Sequence, residues 1–411
     1  MTPGIGRVAH RRVVLGGGLI AAIEPSARSD TPERYVLPGL IDMHVHLPPR
    51  YAPGLVDLFD LLFLTHGVTT IREVGSLDGR AFALARAERV GPRIVACGPI
   101  LDGDPASWPV ARVVRTHAEG EIAVRDLAEH GGGCVKVYEG ISADALSGIR
   151  SAAGALDLPV VGHVPFALPL ADVPLDDVQH LCYPRCGSVS PEEIEAFVEG
   201  SAVRDVAHTP TLVVFEGQAH LARSARTADA PFDLMPRFWR DALWQRVVHE
   251  ANADALALMQ ALVRRLHARG VRIHAGTDPI QAYVVPGASL HRELALLVGS
   301  GLSAEEALAA ATSVAGESLG IEALGRLEVG APADLLVLRE DPTRDLAALD
   351  TIEAVVARGR LYPIETLRAA LDEERRYFDR SVVDLPLRAV SYFGMEIARR
   401  SFALPHSAHT P

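Results

Sequence analysis

The middle of the chain alternates two kinds of segment, and this constrains its fold more than any other feature. Short runs rich in Val, Ile and Gly recur: Gly67–Arg72, Arg93–Cys97, Cys134–Tyr138, Val160–His163, Asp177–His180 and Val271–His274. Longer segments with charged faces lie between them, at Leu55–His66, Arg80–Val90, Glu119–His130 and Ala143–Leu156. Strand followed by helix, repeated, implies parallel strands with helices outside. About eight such units fit, which predicts an α/β fold of the (β/α)8 TIM-barrel type.

The flanks read differently. Residues up to Leu37 look like short strands joined by turns, as do Arg326–Gly330, Ala333–Leu338 and Glu353–Ala357. Neither flank can bury a core alone. A small β-sandwich built jointly from residues 1–38 and 326–361 is therefore expected, around a barrel of residues 39–325. The remaining residues, 362–411, read as a helical tail with spacing at Ile364–Asp379 and Arg388–Leu404 that suits packing or contact in a homo-oligomer. Near the start, Arg11-Arg12 precede an apolar run, Val13–Ile23, in the manner of an export signal. Gly16–Gly18 inside that run favour a hairpin instead.

Composition narrows the class. With 48% hydrophobic residues and a mean hydropathy of +0.16, the 411 residues can fill a large core. A net charge of −12 argues against a nucleic-acid partner and favours solubility, and the partner expected is a small-molecule substrate. No segment has the ~20 uninterrupted apolar residues of a membrane span. Four cysteines, Cys97, Cys134, Cys182 and Cys186, are too few for a disulfide framework in this length. They read as reduced thiols, which fits a cytoplasmic protein.

The chemistry begins at Leu37-Pro-Gly-Leu-Ile-Asp-Met-His-Val-His46. In a strand, residues i and i+2 share a face, so His44 and His46 emerge side by side within reach of one metal ion. In a barrel, catalytic groups sit at the C-terminal ends of strands. A scan of those ends finds further candidates: Lys136 in Cys134-Val-Lys-Val, His163 after Val160-Val-Gly, His180 after Asp177-Val-Gln, and Asp278 in Ile273-His-Ala-Gly-Thr-Asp278.

Taken together, these motifs resemble the amidohydrolase superfamily, along with Gly67-Val-Thr-Thr-Ile-Arg72, Gly162-His-Val-Pro165, His291-Arg-Glu-Leu294 and Gly330-Ala-Pro-Ala-Asp-Leu335. The likeness is greatest to the branch of imidazolonepropionase-like proteins and prolidase-type dipeptidases. The resemblance implies two divalent metal ions, Zn2+ by preference. His44, His46 and Asp278 would hold the first and His163 and His180 the second. Lys136 would bridge them as a carbamate formed with carbon dioxide. A mononuclear variant with a free lysine remains the alternative at Lys136.

The implied mechanism is attack by a metal-bridged hydroxide on a carbonyl carbon, with Asp278 as general base and then general acid. Tyr138 shares strand parity with Lys136, so it is a candidate for oxyanion or substrate contact. His208 and Arg72 are weaker substrate candidates. His274 reads as a structural residue two steps deeper, and His117, His220, His249 and His267 as solvated. The segment from His220 to Arg246, with Trp239 and Trp244, reads as a lid or a surface helix. Asp102–Trp108 and Gln281–Pro286 would line the mouth. The expected activity is hydrolysis of a C–N bond in an amide, a dipeptide-like amide or a cyclic amide. A deaminase, a lactonase or a catalytically silent metal-binding scaffold are the alternatives.

Overall fold

The computed structural model describes residues 1–4, 6–26, 34–48, 52, 54–75, 79–108, 111–223, 231–244 and 254–402. Its centre is an α/β arrangement of parallel strands. Strands β4 (Leu40–Val45), β5 (Val68–Glu73) and β6 (Arg93–Ala96) pair in that order, all parallel. A second parallel set runs β12–β11–β10–β9–β7–β8. Its members are β7 (Leu101–Asp102), β8 (Arg112–Val113), β9 (Val135–Val137), β10 (Val160–Gly162), β11 (Asp177–Gln179) and β12 (Ala207–Thr209).

Backbone hydrogen bonds tie both edges of the first set to the second. At one edge, Gly133 N donates to Ala96 O at 2.9 Å. At the other, His208 bridges Ile273 in parallel, and Met43 N donates to Ala275 O at 2.9 Å. The expected strand Val271–His274 is thus reduced to a single bridge at Ile273. It still lies between β12 and β4. Gly276 allows this approach: a Cβ there would stand 2.5 Å from Thr209 Cγ2 and 2.9 Å from His44 Cβ.

Helices α1 (Leu55–Thr65) and α2 (Arg80–Arg86) follow β4 and β5, and the next helices form where the sequence supplies start signals. Thr116 caps α3 (His117–Glu129) and Ser142 caps α4 (Ala143–Ala155), each accepting from a backbone N–H three residues on. In α5 (Pro191–Val203), Ser190 and Glu193 form a capping box, with Pro191 at the first helical position. The β10-to-β11 crossover departs from the alternation, having only a short 3-10 turn at Leu170–Asp172.

The chain ends meet in an antiparallel sheet ordered β15–β14–β13–β3, made of β3 (Tyr35–Pro38), β13 (Leu335–Leu338), β14 (Ile352–Ala357) and β15 (Arg360–Pro363). A hairpin of β1 (Arg11–Gly16) and β2 (Leu19–Pro25) turns at Gly17 and Gly18, both with positive φ, and bonds to the segment leading into β13 through Ile20 N and Ala331 O. Ile20, Ala331, Ala333, Leu335 and Val356 form their shared apolar core. The Val13–Ile23 run is a hairpin, as its glycines require. Arg326–Gly330 is a turn rather than a strand, with Gly330 at φ 91°. The tail forms two helices, Ile364–Phe378 and Ser381–Phe402.

Two expectations need correction. The cysteines are not free thiols: Cys97 is bonded to Cys134 and Cys182 to Cys186. The first pair links the end of β6 to the start of β9, strand ends that the Gly133–Ala96 bond brings together. The reducing environment inferred from the cysteine count loses that support. Nor do Trp239 and Trp244 lie on a surface helix. Both are buried, Trp239 against Phe59 and Phe238, and Trp244 stacked on Tyr283. Parts of the segment from His220 to Arg246 lie outside the described residues, as does His249.

Candidate metal centre

The sequence-predicted residues converge at the C-terminal ends of the parallel strands. Ligand atoms of His44, His180 and Asp278 all lie within 4.8 Å of one another, and all three residues are buried. His46 Nε2 is 3.8 Å from Asp278 Oδ1, and the His163 ring centroid is 4.9 Å from that of His180. Among the described residues, His44, His180 and Asp278 meet as a trio, and His46 and His163 stand beside it. Lys136 is fully buried among them.

The orientation of two imidazoles is fixed from behind. His44 Nδ1 lies 2.5 Å from Gln179 Oε1. An amide oxygen can only accept, so Nδ1 carries the hydrogen and Nε2 is left as the lone-pair nitrogen. His180 Nδ1 lies 2.5 Å from Thr211 Oγ1, whose own hydrogen goes to Pro210 O at 2.8 Å. His180 Nδ1 therefore donates as well, and its Nε2 faces Asp278 Oδ2 at 3.9 Å. Asp42 completes this scaffold. Its Oδ1 accepts from His44 N and Thr277 N, and its Oδ2 accepts from the Thr277 hydroxyl. This clamps β4 to the segment that carries Asp278.

Strand alternation alone would send neighbours Gln179 and His180 to opposite faces. The backbone at His180 and Leu181 is left-handed, with φ of 56° and 57°, which turns His180 back toward the site. Asp278 and Thr211 are left-handed too, at φ 56° and 50°. Such conformations are costly for residues with a Cβ and gather at functional sites.

Burial sets the protonation states. It holds His44, His163 and His180 well below the usual histidine value, with neighbouring imidazoles and Lys136 adding to the effect. His46 is lowered to about 3, again mainly by burial. Neutral imidazoles are the form that binds metals. Burial lowers Lys136 to about 7 and raises Asp278 to about 6, each against the pull of the other's charge. Burial likewise keeps the Tyr138 phenol protonated by pushing it above its ordinary value.

A test of fit comes from polar atoms that the fold leaves unsatisfied. His44 Nε2, Lys136 Nζ, His163 Nδ1 and Asp278 Oδ1 are buried without a hydrogen-bond partner among the described residues. Orphans of this kind are rare because each carries a desolvation cost. Here they are clustered and include nitrogen and carboxylate donors suited to a divalent ion.

Of the other candidates, Tyr138 borders this cluster, while His208, Arg72 and His274 pack elsewhere. His208 Nε2 bonds Ser201 Oγ at 2.9 Å and its ring meets the edge of Phe197, so it packs toward α5. Arg72 is buried too, donating to Met43 O, Asp177 and Thr209. Asp177 also meets His274 Nδ1 at 3.0 Å, and His274 is buried as expected. Although burial opposes it, Arg72 and His274 hold the Asp177 carboxyl well below the usual carboxylate range. Tyr138 stacks on His163 with centroids 3.9 Å apart. Sequence reasoning missed Gln179, Thr211, Asp42 and Glu139. Gln179 and Asp42 lay inside quoted motifs, beside their histidines, and that adjacency was the available signal.

Comparison with known proteins bears on the family and the fold. Two descriptions of the amidohydrolase family match the chain, one over residues 35–173 and the other over 190–362. A bottromycin amidohydrolase is similar in structure at 25% identity and a TM-score of 0.73, covering 89% of this chain and 86% of that one. A putative prolidase from Bifidobacterium longum matches at 26% identity and 0.65, covering 89% and 93%. A Xaa-Pro dipeptidase with bound methionine shares the fold at 22% identity and 0.65, covering 85% and 94%. No curated protein sequence matches significantly. With a His/His/Asp group at its strand ends and family matches on both sides of residue 180, the chain belongs to the amidohydrolase superfamily and is a hydrolase acting on carbon–nitrogen bonds.

Proposed function

We propose that this amidohydrolase cleaves the C–N bond of a small amide, dipeptide-like or cyclic, within the prolidase-like branch of its superfamily. The observation that carries the reading is the cluster of orphaned donors around Asp278. His44, His46 and Asp278 are proposed to hold one divalent ion, Zn2+ by preference, and His163 and His180 a second. Lys136, lowered to about 7, has an accessible neutral amine, the form that reacts with carbon dioxide, and is proposed to bridge as a carbamate. Divalent ions bound here would lower the pKa of water and polarise the substrate carbonyl.

The residues do the rest. The Asp278 carboxylate accepts the proton of the attacking water and delivers it to the leaving nitrogen. A carboxylate that holds an ion through one oxygen keeps the other free to take and release a proton. Gln281 Nε2, 3.3 Å from Asp278 Oδ2, steadies that carboxylate. The protonated Tyr138 phenol donates to the developing oxyanion or to substrate. The scaffold for this is proposed as a (β/α)8 barrel over residues 39–325 with a small β-sandwich from both chain ends. The bonds at Ala96, Ile273 and Ala275 support the barrel, and the shared core around Ile20 supports the sandwich.

The test is hydrolysis of a panel of dipeptides and N-acyl amino acids by metal-loaded protein. Cleavage that is lost in Asp278→Asn and on chelation is expected. Complete inactivity of the wild type across the panel would count against the amide reading.

A further inference from the structure

Glu139 has no part in the ligand set proposed above. It directly follows Tyr138, just beyond β9, and its side chain is only 14% exposed. Its Oε2 lies 2.8 Å from His163 Nδ1, yet neither atom has a hydrogen-bond partner among the described residues. The contact is close enough for a hydrogen bond but lacks the direction of one. A neutral His163 with its ring hydrogen on Nε2 would turn the Nδ1 lone pair toward this carboxylate, an opposition that a cation between the two atoms would relieve. Nitrogen and oxygen ligands about 2.1 Å from one ion stand roughly 3 Å apart at a right angle and about 3.4 Å apart at the tetrahedral angle. The observed 2.8 Å is nearest the right-angle value, that of a centre with more than four ligands.

The surroundings hold the pair in place. Phe166 N donates to Glu139 O at 2.8 Å, which ties the loop after β9 to the loop carrying His163. Gly140 N donates to Asp102 Oδ1 at 2.9 Å, and a Cβ on Gly140 would come within 2.7 Å of that oxygen. The Tyr138 ring, stacked on His163, sets the plane of the imidazole. Glu139 is thus a fixed carboxylate facing the site.

We propose that Glu139 is a further ligand, alongside His163, for a divalent cation in this centre. The inference rests on the metal-dependent reading above and adds a carboxylate to the second ion's donors.

The experiment titrates Co2+ into metal-free full-length wild type and Glu139→Gln. It reads stoichiometry by calorimetry and ligand field by visible absorption, with circular dichroism to confirm folding. The wild type should bind two equivalents. In Glu139→Gln the first should bind unchanged, the second at least about tenfold more weakly and with a shifted visible band. A folded variant with unchanged affinity and spectrum for both equivalents overturns the assignment. So does a wild type that binds one ion, which leaves the hydrolase reading standing. A wild type that binds none overturns both.

Discussion

Gln179 Oε1 sits 2.5 Å from His44 Nδ1, and this one contact decides which nitrogen of His44 faces the metal centre. With Nδ1 donating to the amide, Nε2 is free and unpartnered. Outer partners of this kind typically contribute 10–100-fold to metal affinity. Gln179→Leu, which removes the acceptor, should weaken binding of the first metal equivalent by about that factor, whereas Gln179→Glu, which keeps an acceptor, should retain it. Competition against a chelator measures both. Equal affinities in wild type and Gln179→Leu would show that the tautomer is fixed by something else.

Lys136 is the second point to test. Its Nζ is buried and unpartnered, in reach of the charges of Asp278 and Glu139. Lys136→Ala should lower metal content from two ions toward one and reduce activity by at least about a hundredfold, given the role of a bridging group in such centres. Added acetate or propionate should restore part of it by filling the space with a carboxylate. Full two-ion occupancy in the variant, read by elemental analysis, would rule out the bridge.

His208 predicts how stability depends on pH. Burial lowers its pKa to about 4, while in the unfolded chain it would sit near 6.5. A depressed value means that the folded state holds the neutral form. Its contribution is therefore complete above about pH 6.5 and is lost as pH falls through about 4. The full effect is on the order of 3 kcal/mol. His208→Gln, which can still bond Ser201, should flatten the fall in unfolding free energy between pH 6.5 and 4. Parallel pH profiles for variant and wild type would contradict this.

The Cys97–Cys134 bond closes a loop with a sequence separation of 37. Chain entropy alone predicts a stabilisation of about 3–4 kcal/mol for a loop of that length. Reduction, or Cys97→Ala with Cys134→Ala, should lower the Tm by several degrees. Mass spectrometry of unreduced peptides should recover the 97–134 linkage. Four alkylatable thiols in protein unfolded without reductant would disprove it.

Much of this was legible from local pattern. The β-branched runs mark β5, β9, β10 and β11 to within a residue or two, because strands buried on both faces carry a dense apolar signal. The candidate ligands were legible because strand ends of a parallel sheet concentrate function. What escaped depends on contacts between distant segments. Cys97 and Cys134 meet only because β6 and β9 are neighbours. Gln179 and His180 both turn inward only because the chain becomes left-handed at His180. Glu139 gains meaning from His163, which arrives on the next strand.

The pairing of β3 with β13 sets a schedule for synthesis. Leu37 is made early, and its partner Leu336 follows about 300 residues later. At the usual 5–20 residues per second, the first strand waits roughly 15 to 60 s on the ribosome without its neighbour. During that interval the parallel strands can assemble, while the apolar edge of β3 stays exposed. A nascent chain stalled before residue 335 should therefore be the species most in need of a chaperone.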